Sequence, residues 1–364
     1  MPGCCSFKAQ RIYPMTGAVL ENHWLNIADG LVESLSLKAS FEQQTELPPQ
    51  SILLPGLFNA HTHLELSQLS APLDVPSRKM SDWIDALLAF RRSPEYNAEA
   101  AIQSALQKMT GTAVAADITP PQCFASVPPP TASDTTRLAF GELIAWREEQ
   151  VPKITPSSRQ YGVSPHAPQT VCPALRDYAA ALNVPAAMHL AETLEELQLL
   201  RSGTGPLLDM MRRADADYNP AKTLLGKRPW DYLQLLSQFP KAFIIHGNYL
   251  DDEELRFLAK HRETMSVVYC PRSHYYFRHT AYPLRKMLDF GVRVLLGTDS
   301  AASAPDYNLA NEIRFAAEQH PDVSIDEIYR SATSAAAEAF DLPQYGTLAA
   351  GQRAVFACLT QAKE

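Results

Sequence analysis

The sequence lacks the features of a membrane-bound, secreted or nucleic-acid-binding protein. No apolar run reaches the roughly 18 residues that a membrane-spanning helix needs, and residues 1–15, MPGCCSFKAQRIYPM, are polar and charged where a signal peptide would be apolar. Forty acidic and 32 basic residues give a net charge of -8, and no run of Lys or Arg forms a basic stripe for phosphate backbones. We therefore expect a cytoplasmic protein that acts on a small molecule and binds neither membranes nor nucleic-acid polymers. The sequence leaves open whether it forms a homodimer.

The sequence also lacks cysteine pairs with the spacing of a zinc knuckle. No C-x-x-C occurs among Cys4, Cys5, Cys123, Cys172, Cys270 and Cys358, which argues against a disulfide framework and a structural zinc knuckle. The 15 glycines and 28 prolines in 364 residues fall well short of the roughly 25–30% that marks low-complexity chains. The sequence therefore predicts a folded chain whose cysteines are free, mostly buried thiols.

From Ser51 onward, eight short apolar runs alternate with helical patterns. The runs are ILLPGLFNA, TAVAADI, LAFGELIAW, YGVSP, VPAAMHL, AFIIHG, TMSVVYC and VRVLLGT. This alternation predicts an α/β fold with a parallel sheet. Eight strands over about 250 residues is the count of a (β/α)8 TIM barrel, and an open doubly wound sheet is the alternative.

The rest of the chain lies at its two ends and in two irregular segments. Residues 6–50 and the stretch after Asp341 are strand-like, which predicts a small β-sandwich of residues 1–52 and 342–364 beside a barrel of residues 53–341. The segment FASVPPPTASDTT, residues 124–136, favours a loop over a helix. Residues 202–236 are longer than a strand-to-helix connection requires, and we expect them to cover the barrel mouth.

Histidines lie at the ends of the predicted strands, where TIM-barrel enzymes carry their active sites. His61 and His63 end the first run, and the alternation of an extended chain points both imidazoles to one side. His189, His246 and Asp299 end the fifth, sixth and eighth runs. Any one of them alone is more often a core or surface residue, or a helix N-cap in the case of Asp299. Together they form a nitrogen and oxygen donor set that suits a divalent transition metal, with Zn²⁺ favoured and Fe²⁺ open.

Six segments at these strand ends carry a family resemblance. They are PGLFNAHTHLEL, YGVSPHAPQTV, HLAETLEEL, HGNYLDDEEL, VVYCPRSHYYF and LLGTDSAAS, in this order. With them the sequence resembles the amidohydrolase superfamily over essentially the whole chain, in the branch of adenosine-type and guanine deaminases and triazine chlorohydrolases. The resemblance implies a metal-dependent barrel with a small β-sandwich built from both termini. It also implies that His61, His63, His189 and Asp299 bind the metal and that Glu192, His246 and Asp299 are catalytic.

The chemistry of these residue types agrees with the implied roles. A metal ion lowers the pKa of a bound water to about 7 and so supplies hydroxide as the nucleophile at neutral pH, and Asp299 can take the water's proton. Glu192 can carry a proton to a ring nitrogen and then to a leaving amine, although a carboxylate that favours a helix N-terminus is its other interpretation. His246 would hold the hydroxide or polarise the bond under attack. Binuclear members of the superfamily bridge two metal ions with a carboxylated lysine on the fourth strand. The fourth run, YGVSPH, contains no lysine, so the resemblance implies a single ion.

The substrate-binding residues are less sharply defined. We expect His166 to contact the substrate, Glu65 to accept hydrogen bonds from sugar hydroxyls, and Trp83 to wall the pocket. Glu65 as a solvated loop carboxylate and Trp83 as a core residue are the alternatives. Arg272 and His274 follow the seventh strand and complete the predicted substrate contacts.

The resemblance implies hydrolytic deamination of an aminopurine-type small molecule. A 5'-modified adenosine is the leading substrate, such as aminodeoxyfutalosine, S-adenosylhomocysteine or methylthioadenosine. A guanine or 8-oxoguanine type of deaminase and a triazine chlorohydrolase or amidase are the alternatives. A catalytically dead barrel kept for binding is disfavoured, because every implied ligand and Glu192 are present.

Overall fold

The computed structural model describes residues 3–123, 135–151, 161–219 and 224–360. Its strands fall into two sheets, one built from both ends of the chain and one from the middle. The strands are β1 (Cys5–Ile12), β2 (Leu20–Ala28), β3 (Leu31–Ser36), β4 (Gln44–Glu46), β5 (Ser51–Pro55), β6 (Leu57–Thr62), β7 (Thr112–Thr119), β8 (Thr136–Leu143), β9 (Gly162–Pro165), β10 (Ala186–Leu190), β11 (Ala242–His246), β12 (Met265–Tyr269), β13 (Val294–Leu296) and β14 (Phe356–Thr360).

The helices of the described residues lie mostly between the strands of the second sheet. They are α1 (Met80–Arg91), α2 (Ala98–Lys108), α3 (Pro173–Ala181), α4 (Leu194–Ser202), α5 (Pro206–Ala214), α6 (Pro229–Leu236), α7 (Asp252–Lys260), α8 (Pro271–Tyr276), α9 (Leu284–Phe290), α10 (Leu309–Gln319), α11 (Ile325–Ser331) and α12 (Ser334–Ala339). Among them, none has the length and apolarity to cross a membrane.

The second sheet is a barrel of eight parallel strands in the order β6 to β13. Its first and last strands meet at the carboxyl end of the barrel, where the backbone amides of Thr298 and Asp299 both donate to the carbonyl of His61 at 3.1 Å. Phe58, Phe140 and Phe243 fill the barrel interior, while helices cover the outside. The predicted TIM barrel is confirmed, and the open doubly wound sheet is not observed.

The first sheet joins the two ends of the chain. β14 pairs antiparallel with β5, and β5 pairs parallel with β1, which continues through β2 to β3. The predicted separate β-structure from both termini is therefore confirmed. The proposed boundary between residues 52 and 53 falls inside β5.

One predicted strand turns out to be two. The apolar run ILLPGLFNA divides at Gly56 into β5, in the terminal sheet, and β6, in the barrel. A Cβ at Gly56 would lie 2.7 Å from the Cβ of Ala113 and 2.8 Å from Cγ1 of Val355, closer than such atoms pack. Only glycine lets the chain pass between the two sheets at this point.

Several smaller expectations can also be placed. Residues 124–134 of the predicted loop lie outside the described residues. Segment 202–236 contains α5 and α6, with residues 220–223 outside the described residues. All six cysteines are free, as predicted, but Cys4 and Cys358 are exposed rather than buried.

Candidate active site

Four histidines and one aspartate meet at the carboxyl ends of the barrel strands. The nearest ligand atoms of His61, His63 and His189 all lie within 4.8 Å of one another, and so do those of His61, His246 and Asp299. Nε2 of His63 faces Nε2 of His189 at 3.3 Å, and Oδ1 of Asp299 lies 3.5 Å from Nε2 of His61 and 3.8 Å from Nε2 of His63. Ligand atoms about 2.0–2.1 Å from a tetrahedral zinc stand roughly 3.3–3.4 Å apart. The spacing therefore fits one divalent metal ion.

The protonation states of this cluster also suit metal binding. Burial lowers the pKa of both His63 and His189 well below the usual value, and the neighbouring His61 lowers each further. Burial acts to raise the pKa of Asp299, but the nearby rings of His61, His246 and His63 outweigh it and lower that pKa well below its usual value. Neutral imidazoles and an ionised carboxylate are the forms that bind metal.

The surroundings of two of the histidines leave ring nitrogens free to bind a metal ion. His189 donates from Nδ1 to the carbonyl of His166 at 3.1 Å, which leaves its Nε2 lone pair directed at His63. Neither ring nitrogen of His61, which is 1% exposed, has a hydrogen-bond partner. Such a buried polar group is costly unless a ligand satisfies it.

Asp299 is held by two serines. Ser273 and Ser303 donate from Oγ to Oδ2 of Asp299 at 2.6 Å and 2.8 Å. The two bonds fix one carboxylate oxygen and leave Oδ1 directed at the histidines. Ser273 lies in the segment CPRSHYYF between Arg272 and His274, the two residues that the sequence predicts as substrate contacts.

Glu192 forms a pair with His246 at the edge of the cluster. Its Oε1 lies 3.3 Å from Nε2 of His246, and Asn248 donates to its backbone carbonyl at 2.8 Å. Burial raises the pKa of Glu192 well above its usual value, and the charge of Asp299 raises it further. Burial lowers the pKa of His246 to about 3. A carboxyl with a raised pKa beside an imidazole with a lowered pKa is the arrangement of a proton donor.

The backbone at these strand ends is strained. Ala191, His246 and Asp299 have φ angles of 52°, 70° and 59°, in the left-handed region that non-glycine residues rarely adopt. Each of the three follows or ends a barrel strand and turns the chain so that a functional side chain faces inward. Strain of this kind is concentrated at functional sites.

The cluster opens into a cavity of about 330 Å³. Its floor carries His63, His189, Glu192, His246 and Asp299. Its outer wall is apolar and comes from two helices; the wall residues are Met80, Trp83, Ile84, Leu87 and Leu88 of α1, and Met210, Met211 and Ala214 of α5. Helix α5 belongs to segment 202–236, so part of that segment lies at the barrel mouth.

Two of the predicted substrate contacts line this cavity. Trp83 forms part of the outer wall and donates from Nε1 to the carbonyl of Ala302 at 3.1 Å. His166 lies near His189, with Nδ1 2.9 Å from Oγ1 of Thr170.

The other three predicted contacts do not line it. Glu65 is fully buried and accepts a hydrogen bond from Nε of Arg91 at 3.2 Å, so Arg91 lies between it and the cavity. Arg272 donates to Glu312 at 2.6 Å and to Asp306 at 2.7 Å. His274 donates from Nε2 to the carbonyl of Thr280 at 2.8 Å. None of these three side chains therefore lines the cavity that holds the cluster.

Helix geometry explains the displacement of Arg272 and His274. Helix α8 begins at Pro271, directly after β12, so consecutive residues there point about 100° apart. Ser273 faces the cluster, and its two neighbours face a separate open groove of about 950 Å³.

Glu142 is a further cavity residue, which the strand-end pattern of the sequence does not indicate. This residue is 5% exposed and lines the cavity from β8. Leu138 and Phe140 of the same strand face the barrel interior, and the period of two of a strand places Glu142 on that face. The alternation is not apparent when LAFGELIAW is treated as one continuous apolar run.

The comparisons with known proteins agree with the site. Residues 52–363 match the model of the amidohydrolase family. The chain belongs to the amidohydrolase family. This confirms the resemblance read from the strand-end segments, and a divalent metal site is in keeping with that membership.

The chain is also similar to individual proteins that are named as deaminases. It is 27% identical over 330 residues to aminodeoxyfutalosine deaminase of Deinococcus radiodurans, covering 81% of this chain and 75% of the relative. It is 34% identical over 205 residues to 5-methylthioadenosine/S-adenosylhomocysteine deaminase of Pyrococcus furiosus, covering 53% and 44%. The fold matches the aminofutalosine deaminase of Helicobacter pylori, crystallised with methylthio-coformycin, with a TM-score of 0.76 at 19% identity over 99% of this chain and 93% of that one.

Proposed function

We propose that this protein hydrolytically deaminates 5'-modified adenosines and releases ammonia. The observation that carries the proposal is the position of the Glu192 carboxyl, which lies 3.3 Å from His246. Burial raises its pKa. It lines the same cavity as the metal-type cluster, by which we mean His61, His63, His189, His246 and Asp299. An aminopurine needs such a proton carrier beside its ring nitrogen. The names of the relatives in Deinococcus and Pyrococcus support the substrate class.

His61, His63, His189 and Asp299 would hold the metal, and the donor set of three nitrogens and one oxygen favours zinc. A bound divalent cation supplies the activation of water at neutral pH.

Asp299 and Glu192 each carry out part of the proton transfers. Oδ1 of Asp299 accepts a proton from the attacking water, whose oxygen bonds to the amino-bearing ring carbon. Glu192 donates its proton to the adjacent ring nitrogen. Asp299 then returns its proton to the amino group, which leaves as ammonia when the carbon–nitrogen bond breaks. The remaining hydroxyl proton passes to Glu192, so both carboxyls regain their starting states.

The cavity wall supports a 5'-substituent that is largely apolar. Nearly all of the outer wall comes from the methionine, leucine, isoleucine and tryptophan side chains of α1 and α5. A pocket near 300 Å³ with an apolar outer wall and polar groups at its floor suits a small ligand that is mostly enclosed. The purine would then lie at the floor beside Glu192, and the 5'-group would point to the mouth.

The test is ammonia release by the zinc-loaded protein from 5'-deoxyadenosine, methylthioadenosine and aminodeoxyfutalosine, with guanine, 8-oxoguanine and aminotriazines as competing substrates. We expect turnover of at least one adenosine, its loss on chelation, and close to one equivalent of metal per chain. A response confined to guanine, 8-oxoguanine or the triazines would overturn the proposal, as would no response at all.

Glu192→Gln tests the proton carrier. It should retain the metal and lose about 10²–10⁴-fold in turnover, the usual contribution of general acid–base catalysis. Glu195→Gln is a matched control, since this carboxyl accepts from the amide of Ser81 at 3.2 Å and does not line the cavity. Unchanged turnover in Glu192→Gln would remove Glu192 from the mechanism.

A further inference from the structure

One buried carboxylate in the cavity has no role in the proposed hydrolysis. Glu142 is 5% exposed and lines the cavity from the carboxyl end of β8. Its register partner on the neighbouring strand is Ser164, two residues before His166. Glu142 therefore lies on the cavity wall at the fourth-strand side, on the same inward face as the metal-type cluster.

No described residue donates a hydrogen bond to the Glu142 side chain, and none forms an ion pair with it. The other carboxylates that line the cavity are all engaged. Glu192 faces His246, Glu196 accepts from the amides of Ala191 and Glu192 at 2.9 Å, and Asp299 accepts from two serines. Because Glu142 lines the cavity and has no donor among the described residues, its oxygens are available to accept hydrogen bonds from a bound ligand.

The charges around Glu142 indicate which groups of a ligand could donate hydrogen bonds to it. Arg91 also lines the cavity; burial acts to lower the pKa of its guanidinium, but the charges of Glu65 and, after it, Glu142 raise that pKa. That cation is held by Glu65 through Nε at 3.2 Å. Because a positive charge already lies within electrostatic reach, Glu142 needs hydrogen-bond donors rather than another cation. Neutral hydroxyl groups meet that need, and two vicinal hydroxyls can engage both oxygens of one carboxylate.

We propose that Glu142 accepts hydrogen bonds from the 2'- and 3'-hydroxyls of the substrate ribose and thereby sets the preference for ribonucleosides. The inference rests on the proposed function and reassigns to Glu142 the sugar contact that the sequence suggested for Glu65. Glu65 cannot make that contact in this structure, because it is fully buried and Arg91 separates it from the cavity.

The test compares 5'-deoxyadenosine with 2',5'-dideoxyadenosine and 3',5'-dideoxyadenosine as substrates of the zinc-loaded protein. In the wild type, loss of each hydroxyl should lower kcat/KM by about tenfold to a hundredfold, the range of a hydrogen bond to a charged group. In Glu142→Gln and Glu142→Ala, 5'-deoxyadenosine should lose a similar factor, chiefly through KM, and the three substrates should differ by less than about threefold.

Glu65→Gln is the matched control. It removes a carboxylate on the far side of Arg91 and should retain the wild-type preference for both hydroxyls, whatever it does to stability. Thermal unfolding and metal content of each variant separate a lost contact from a damaged fold. If the Glu142 variants do not fold, Glu142→Asp and the wild-type substrate series decide the matter.

The outcomes are distinct. A wild type that does not distinguish the dideoxy substrates overturns the inference while leaving the proposed function intact, and so do Glu142 variants that keep the full preference. Loss of the preference in Glu65→Gln alone would return the contact to Glu65. A wild type that deaminates no adenosine at all overturns the proposed function and this inference with it.

Discussion

The hydroxyl of Ser273 should matter to catalysis although it does not touch the cavity. Ser273→Ala deletes the 2.6 Å donor to Oδ2 of Asp299 and leaves the 2.8 Å donor from Ser303. A hydrogen bond to a charged group contributes about 1.5–3 kcal/mol. If most of that is lost from the transition state, where Asp299 has to stay oriented, kcat falls by about ten- to a hundredfold.

The substrate KM should stay within about twofold, since Ser273 is absent from the cavity lining. Removing a residue that orients a metal ligand weakens metal affinity by about 10–100-fold, so the assay is ammonia release at saturating zinc, with metal content measured in parallel. Ser6→Ala is the control, because it deletes an equally buried hydroxyl that donates to Asn26 at 2.7 Å in the terminal sheet. Turnover of Ser273→Ala within twofold of wild type, at full zinc occupancy, would refute the reasoning.

Two further predictions concern stability. Burial raises the pKa of Glu196 to about 7, so this carboxyl stabilises the fold most when protonated, and its contribution is complete below a pH of about 4.5 and lost as the pH rises through about 7. Glu196→Gln should remove roughly 1–3 kcal/mol of the pH dependence in urea unfolding between about pH 5 and pH 8; pH profiles parallel to the wild type would contradict this. Arg272→Ala should cost about 3–5 kcal/mol, because it leaves the fully buried Glu312 without its 2.6 Å partner. The exposed pair of Arg256 and Asp252, 3.9 Å apart, provides the control, since Arg256→Ala should cost less than about 1 kcal/mol; equal losses in the two variants would be inconsistent with a buried ion pair.

The barrel and its metal-type cluster could be predicted from the sequence because both follow from simple periods. Eight apolar runs gave the strands, and the carboxyl ends of parallel strands meet at one end of a barrel. His61, His63, His189, His246 and Asp299 therefore had to lie close together once the runs were identified, and the structure places them so.

The features that escaped prediction lie where a simple hydrophobic period does not determine the local structure. At Pro271 the chain changes from strand to helix, so the period of two that would select Arg272 and His274 no longer applies, and Ser273 faces the cluster. In LAFGELIAW, Glu142 interrupts an apolar run without ending it. Gly56 divides a continuous apolar run between two sheets because of a steric requirement, which hydrophobicity does not record.

The strained backbone at Ala191, His246 and Asp299 sets a limit on how far this protein can be made heat-resistant without harm. Left-handed conformations cost roughly 1–2 kcal/mol at each non-glycine residue, and a whole domain is stable by only about 5–15 kcal/mol. Selection for thermal resistance alone would favour glycine or asparagine at these positions. At two of the three, that change would delete a side chain of the cluster, so at these positions a gain in stability would abolish turnover.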